Sequence, residues 1–167
     1  MAITSSYECL DYNRHCNDRP TRPDIALNTI ETSHPGLQNI VSKNPILLGS
    51  IVDRTKTGRS IQLNGNRLIF SVAGLYLVTY STSAVWTRLP YGTNEAIIQL
   101  KLNQKLLDGS ETRVQVLTPD LAENQKANLA KTVLVPVTTR NSSLTLINTS
   151  LQIMGFINTT VTVVKVG

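Results

Sequence analysis

An all-β sandwich or barrel is the fold class this sequence predicts, and three observations carry it. Short apolar runs recur from Pro45 onward, broken by turn residues at Asn64-Gly65-Asn66, Pro90-Tyr91-Gly92, Asp108-Gly109, Pro119-Asp120 and Arg140-Asn141. Threonine, valine and isoleucine are abundant, and charged residues make up only 16% of the chain, against about 25% in ordinary globular domains. Nowhere does an apolar stripe hold helical spacing for long. At 167 residues the chain suffices for one domain with a real core. No apolar run reaches the roughly 20 residues of a membrane-spanning helix.

The first 45 residues differ from the rest. They hold four of the seven prolines (Pro20, Pro23, Pro35, Pro45), both cysteines and both histidines. No periodic pattern persists there, and the prolines favour extended backbone. Residues 1–44 therefore read as an extended arm and residues 45–167 as the globular domain. The arm still carries apolar anchors, Ile3, Tyr7, Leu10, Tyr12, Ile25, Leu27 and Ile30, which a purely solvating tail would not need. Charge divides at the same place. Residues 1–35 hold Arg14, Arg19 and Arg22 against Glu8, Asp11, Asp18, Asp24 and Glu31, a net −2, so the formal +5 of the chain leaves +7 on the remainder. An acidic arm precedes a basic body.

Along the body, strands are expected near 46–52, 60–63, 67–72, 74–86, 95–103, 112–118, 129–138, 143–149 and 159–166. Leu121 to Lys131 is helix-friendly and reads as a turn or one short helical piece. Pro136 falls inside a strand pattern, so it belongs at an edge or bulge. The longest strand is Gly74–Trp86. Alternation puts Tyr76, Val78, Tyr80, Thr82, Ala84 and Trp86 on one face and Leu75, Leu77, Thr79, Ser81, Ser83 and Val85 on the other.

Chemistry-bearing residues are few. With both histidines in the arm, the body has no base–nucleophile pair, and no phosphate loop, dinucleotide fingerprint or serine elbow occurs. Neither a catalytic site nor a cofactor is expected. Cys9, His15 and Cys16 make a weak metal set without a second Cys-x-x-Cys group, so no metal site is assigned. The basic groups are scattered, without interleaved aromatics, which speaks against nucleic acid. Arg54, Lys56 and Arg59 form the only local cluster, read as a solvated loop or an anion or glycan contact. Cys9 and Cys16 can close a small loop or link two chains, and a cytosolic protein rarely uses either.

Phe70-Ser-Val72-Ala-Gly74-Leu-Tyr76, followed by Tyr80, resembles the signature of the C1q and tumour-necrosis-factor (TNF) superfamily. Leu144-Thr-Leu-Ile-Asn-Thr-Ser150 resembles its penultimate strand and Val161-Thr-Val-Val-Lys-Val166 its closing one. The resemblance covers about Pro45 to Gly167. It implies a ten-stranded jelly-roll sandwich behind the arm, and a homotrimer. Tyr76 and Tyr80 are then expected in the trimer core at or near the three-fold axis, with Phe156 and Val163 as weaker candidates. The start of the chain shows no secretory leader, yet the family is extracellular and a cysteine pair is present. The spore branch of the superfamily reconciles these facts: basal-layer proteins of the Bacillus exosporium, heads of collagen-like spore glycoproteins, and subunits of spore appendage fibres. The basal-layer proteins resemble this chain in length and in a short cysteine-bearing N-terminal segment. A Gly-X-Y stretch is missing, so the chain is not itself a collagen-like glycoprotein. The resemblance implies a structural, non-enzymatic subunit of a spore outer layer or fibre, made in the mother-cell cytoplasm and exposed on lysis. Its expected partners are itself, through the arm, and other exosporium proteins or a collagen-like spore glycoprotein. Cys9 and Cys16 would be oxidised there. The alternative is a C1q-like trimeric binding module that recognises a glycan or other ligand through its loops.

Overall fold

Residues that alternate between apolar and hydroxyl side chains form the strands of this protein. A computed structural model describes residues 28–86, 92–118 and 125–167. They contain twelve strands: β1 (Thr29–His34), β2 (Gln38–Ile40), β3 (Ser50–Ile51), β4 (Ile61–Asn64), β5 (Arg67–Phe70), β6 (Gly74–Trp86), β7 (Gly92–Leu102), β8 (Lys105–Leu106), β9 (Thr112–Thr118), β10 (Gln125–Val137), β11 (Ser142–Asn148) and β12 (Met154–Lys165). All pairings are antiparallel. Sheet I runs β10-β6-β12-β1-β3, with β2 beside β12; sheet II runs β4-β5-β11-β7-β8, with β9 beside β7. The fold is an all-β jelly-roll sandwich, with somewhat more strands than the ten expected.

Each sheet gives one face to the core. From sheet I come Tyr76, Val78, Tyr80, Ala84 and Trp86 of β6, with Leu129 and Val135 of β10 and Val161 and Val163 of β12. Sheet II answers with Leu68, Phe70, Ala96, Ile98, Leu100, Leu144 and Leu146. Phe70 and Tyr76, the aromatic ends of the signature, meet with ring centroids 4.4 Å apart. The buried phenols are satisfied: Tyr76 donates to the Val72 carbonyl at 2.7 Å and Tyr80 to the Ser110 carbonyl.

Local chemistry fixes the register. At Gly74 an added Cβ would collide with the Gly167 carbonyl oxygen, which accepts from Leu75 N at 2.8 Å. In β12 a bulge lies between Ile157 and Thr160, with Asn158 at a φ of 56°. Inward residues are therefore Met154 and Phe156 before it and Thr159, Val161 and Val163 after it. Pro136 needs no ladder donor because β10 ends the sheet I path.

Three expectations are corrected. Residues 29–44 are not arm: β1 pairs with β12 from Thr29↔Val164 to His34↔Thr159, β2 pairs with its first residues, and Ile30 and Thr32 are fully buried. The sandwich thus begins at Thr29, not Pro45. Only Ser50–Ile51 of the expected 46–52 strand is regular. Ile46 and Leu48 are nonetheless buried, held by the Asn66 side chain, which donates to Ile46 O at 2.9 Å and accepts from Leu48 N at 2.6 Å. From Gln125 the helix-friendly stretch is the start of β10, because pairing with β6 overrides its propensity; residues 121–124 lie outside the described residues.

Candidate functional site

The same alternation that fills the core leaves sheet I with a second, open face. β6 presents Leu75, Leu77, Thr79, Ser81 and Ser83 there, and the cross-strand register brings β10 and β12 alongside. Leu77 sits between Leu134 and Val164, Thr79 between Thr132 and Thr162, and Ser81 between Ala130 and Thr160. Leu77 and Leu134 are 38% and 51% exposed, high for leucines in mid-strand. Between Glu31 of β1 and Lys126 at the far end of β10 this face carries no charge.

Three pairs of its cross-strand neighbours are hydrogen-bonded to each other. Thr79 Oγ1 and Thr132 Oγ1 lie 2.9 Å apart, Ser81 Oγ and Thr160 Oγ1 3.1 Å apart, and Ser83 Oγ donates to Asn128 Oδ1 at 2.7 Å. Such cross-strand pairs stabilise the sheet. They also lower the cost of covering it, because groups already hydrogen-bonded lose little on leaving water. A charge-depleted, internally satisfied surface has the chemistry of an interface centre.

The residues expected at a trimer axis lie within the sandwich. Tyr76, Tyr80, Phe156 and Val163 are 0% exposed within the single chain. They point between the sheets, so within the single chain their side chains belong to the core. Aromatic area suggested the interface, but the sandwich uses that area for its own core. The opposite, odd-numbered face of β6 was readable from the same alternation; its signal is hydroxyl content with no charge.

Arg54, Lys56 and Arg59 are all exposed on one loop that closes against β1. Thr29 N donates to Thr57 O at 3.2 Å and Thr57 N to Thr29 O at 3.0 Å. Among the described residues none of the three cations makes an ion pair; both that occur are those of Arg113, with Glu95 at 3.5 Å and Glu111 at 2.5 Å. The Glu111 hydrogen bond and charge hold the Arg113 guanidinium above its ordinary pKa. Among the described residues no three His, Cys, Asp or Glu side chains gather as metal ligands. Ile3, Tyr7, Cys9, Leu10, Tyr12, His15, Cys16, Ile25 and Leu27 lie outside the described residues.

Two antiparallel sheets with this strand order define a jelly roll of the TNF and C1q type. Solved structures of that fold resemble it at low identity. Eiger TNF from S. frugiperda matches with a TM-score of 0.68 and 12% identity, over 85% of this chain and 94% of that one. Murine APRIL matches with a TM-score of 0.61 and 10% identity, over 84% and 99%. The globular domain of zebrafish complement 1qA matches with a TM-score of 0.56 and 8% identity, over 81% and 94%. No family model and no curated protein matches the sequence.

Proposed function

We propose that this chain is a structural, non-enzymatic homotrimeric subunit of a bacterial spore outer layer or spore-surface appendage fibre, with its N-terminal arm joining neighbouring trimers. The observation that carries the trimer is the open face of sheet I, uncharged across its centre and with three cross-strand polar pairs already formed on it. A second copy of the chain is the occupant that suits it, since the jelly-roll resemblance implies self-association. The spore setting rests on the Cys9 and Cys16 pair ahead of a proline-containing link, as in the exosporium proteins that the sequence resembles.

The connector role of the arm rests on reach and charge. The 27 residues ahead of Asn28 span up to roughly 95 Å when extended, against a radius of gyration of about 14 Å for a body of this size. Those 27 residues carry a net −1 and the remainder of the chain +6, a difference that favours encounter with another copy. Strand addition or groove docking would use its apolar anchors, with backbone hydrogen bonds supplying affinity. Sedimentation and electron microscopy of the purified full chain test the reading together. Trimers that join into sheets or filaments are expected; a monomer at all concentrations overturns it.

A further inference from the structure

A cavity of about 360 Å³ lies on the outer face of sheet II, walled by Lys43, Lys101, Gln104, Leu106, Ile147 and Thr149. That volume is in the range of small-molecule sites, which combine apolar walls with a few polar groups. β7 supplies Lys101, β11 supplies Ile147, and the two-residue turn between β7 and β8 carries Gln104 over them. We propose that this cavity binds an acidic sugar, such as a uronic-acid residue of a glycan. Its carboxylate is held by Lys43 and Lys101, its ring lies on Leu106 and Ile147, and its hydroxyls bond Gln104 and Thr149.

Four features converge on that chemistry. Lys43 and Lys101 have no ion-pair partner among the described residues, so two ammonium groups are available to one anion. The Thr149 hydroxyl is buried without a hydrogen-bond partner, so a ligand group that reached it would satisfy a polar atom the chain leaves unpaired. Ile147 is 4% exposed and Leu106 42%, giving an apolar floor that a bare inorganic anion would not use. Lastly, Lys43 and Gln104 hold φ angles of 67° and 71°. Glycine is the easy residue there, above all at the second position of the Asn103-Gln104 turn. Non-glycine residues at positive φ are uncommon, and two of the six among the described residues enter this one wall. The cavity is on the opposite sheet from the open face of sheet I, so this inference stands apart from trimer assembly.

Equilibrium dialysis of the full chain tests it, with labelled glucuronate, its methyl ester, glucose and inorganic phosphate as probes. Glucuronate should bind about tenfold or more tightly than the ester or glucose, the loss expected when a charge-assisted contact is removed. Lys101→Gln and Lys43→Asn should each weaken it by about tenfold; asparagine tolerates the positive φ. Equal binding of glucose would remove the carboxylate from the recognition. Equal binding of phosphate would make this an anion site without sugar recognition, and no binding of any probe would leave the cavity without a ligand. Each of those results overturns the proposal.

Discussion

Tyr80 shows how much of the fold rests on single core side chains. Its ring is fully buried and its hydroxyl donates to the carbonyl of Ser110, itself fully buried. Burial pushes the Tyr80 pKa up, the Glu111 carboxylate adds to this, and burial raises Tyr76 as well. An unfolded chain ionises its phenols near pH 10, roughly. Above that pH the unfolded state binds fewer protons than the folded one, so stability should hold up to about pH 10 and fall beyond it. The slope is at most about 1.4 kcal/mol per pH unit for each tyrosine. Tyr80→Phe should remove its share of that slope, while costing about 1–3 kcal/mol at neutral pH through the orphaned carbonyl. Urea unfolding at pH 8 and pH 11, for both proteins, measures the two effects. An identical alkaline slope in the variant would refute the assignment.

β6 and β12 carry the corresponding lessons for elements. The faces of β6 were legible in the sequence, because its alternation over residues 76–84 leaves one register. β1 was hidden: Thr29–His34 alternates only briefly, sits among prolines, and becomes a strand through pairing with β12, a non-local partner. The bulge at Asn158 was hidden too, since asparagine at positive φ has no unique sequence mark. Asn158→Gly should be nearly neutral, whereas Asn158→Val should cost about 1–2 kcal/mol, because a β-branched residue resists that conformation. The shift in urea midpoint gives the answer, and a neutral valine would count against the bulge. On the open face, Leu77→Asp places a charge where the sheet has none. It should leave a folded chain that sediments as a monomer, since Leu77 is partly exposed in the single chain. An intact trimer in that variant would place the interface elsewhere. The candidate face was itself legible in the alternation, whereas the aromatic residues on the other side of the strand fill the core.

For the whole molecule, the division into acidic arm and basic body matters most. Deleting residues 1–20 should leave folded trimers that no longer associate, because sheet I keeps all its strands while the apolar anchors from Ile3 to Tyr12 are lost. Electron microscopy of the truncated protein checks this, and unchanged polymers would end the connector role. Cys9 and Cys16 should be oxidised in the mature assembly, with links between chains favoured over a local loop. A non-reducing gel of native material separates the cases: higher multimers are expected, and a single monomer band rules out interchain links.

Asn28 and Lys165 meet at one end of sheet I, where Lys165 N donates to Asn28 O at 2.9 Å, and Gly167 closes on Leu75 beside them. The described part of every chain therefore begins at the same pole of its sandwich. In a ring of three such chains the three Asn28 ends would stand at one level along the axis, and arms joining there to one side would give the particle a front and a back. A contact made by arms from the front with the back of the next particle uses unlike surfaces, so it does not close on itself and propagates as an open, polar file. Growth of that file would differ at its two ends, and the end that displays unoccupied arms would mark its direction.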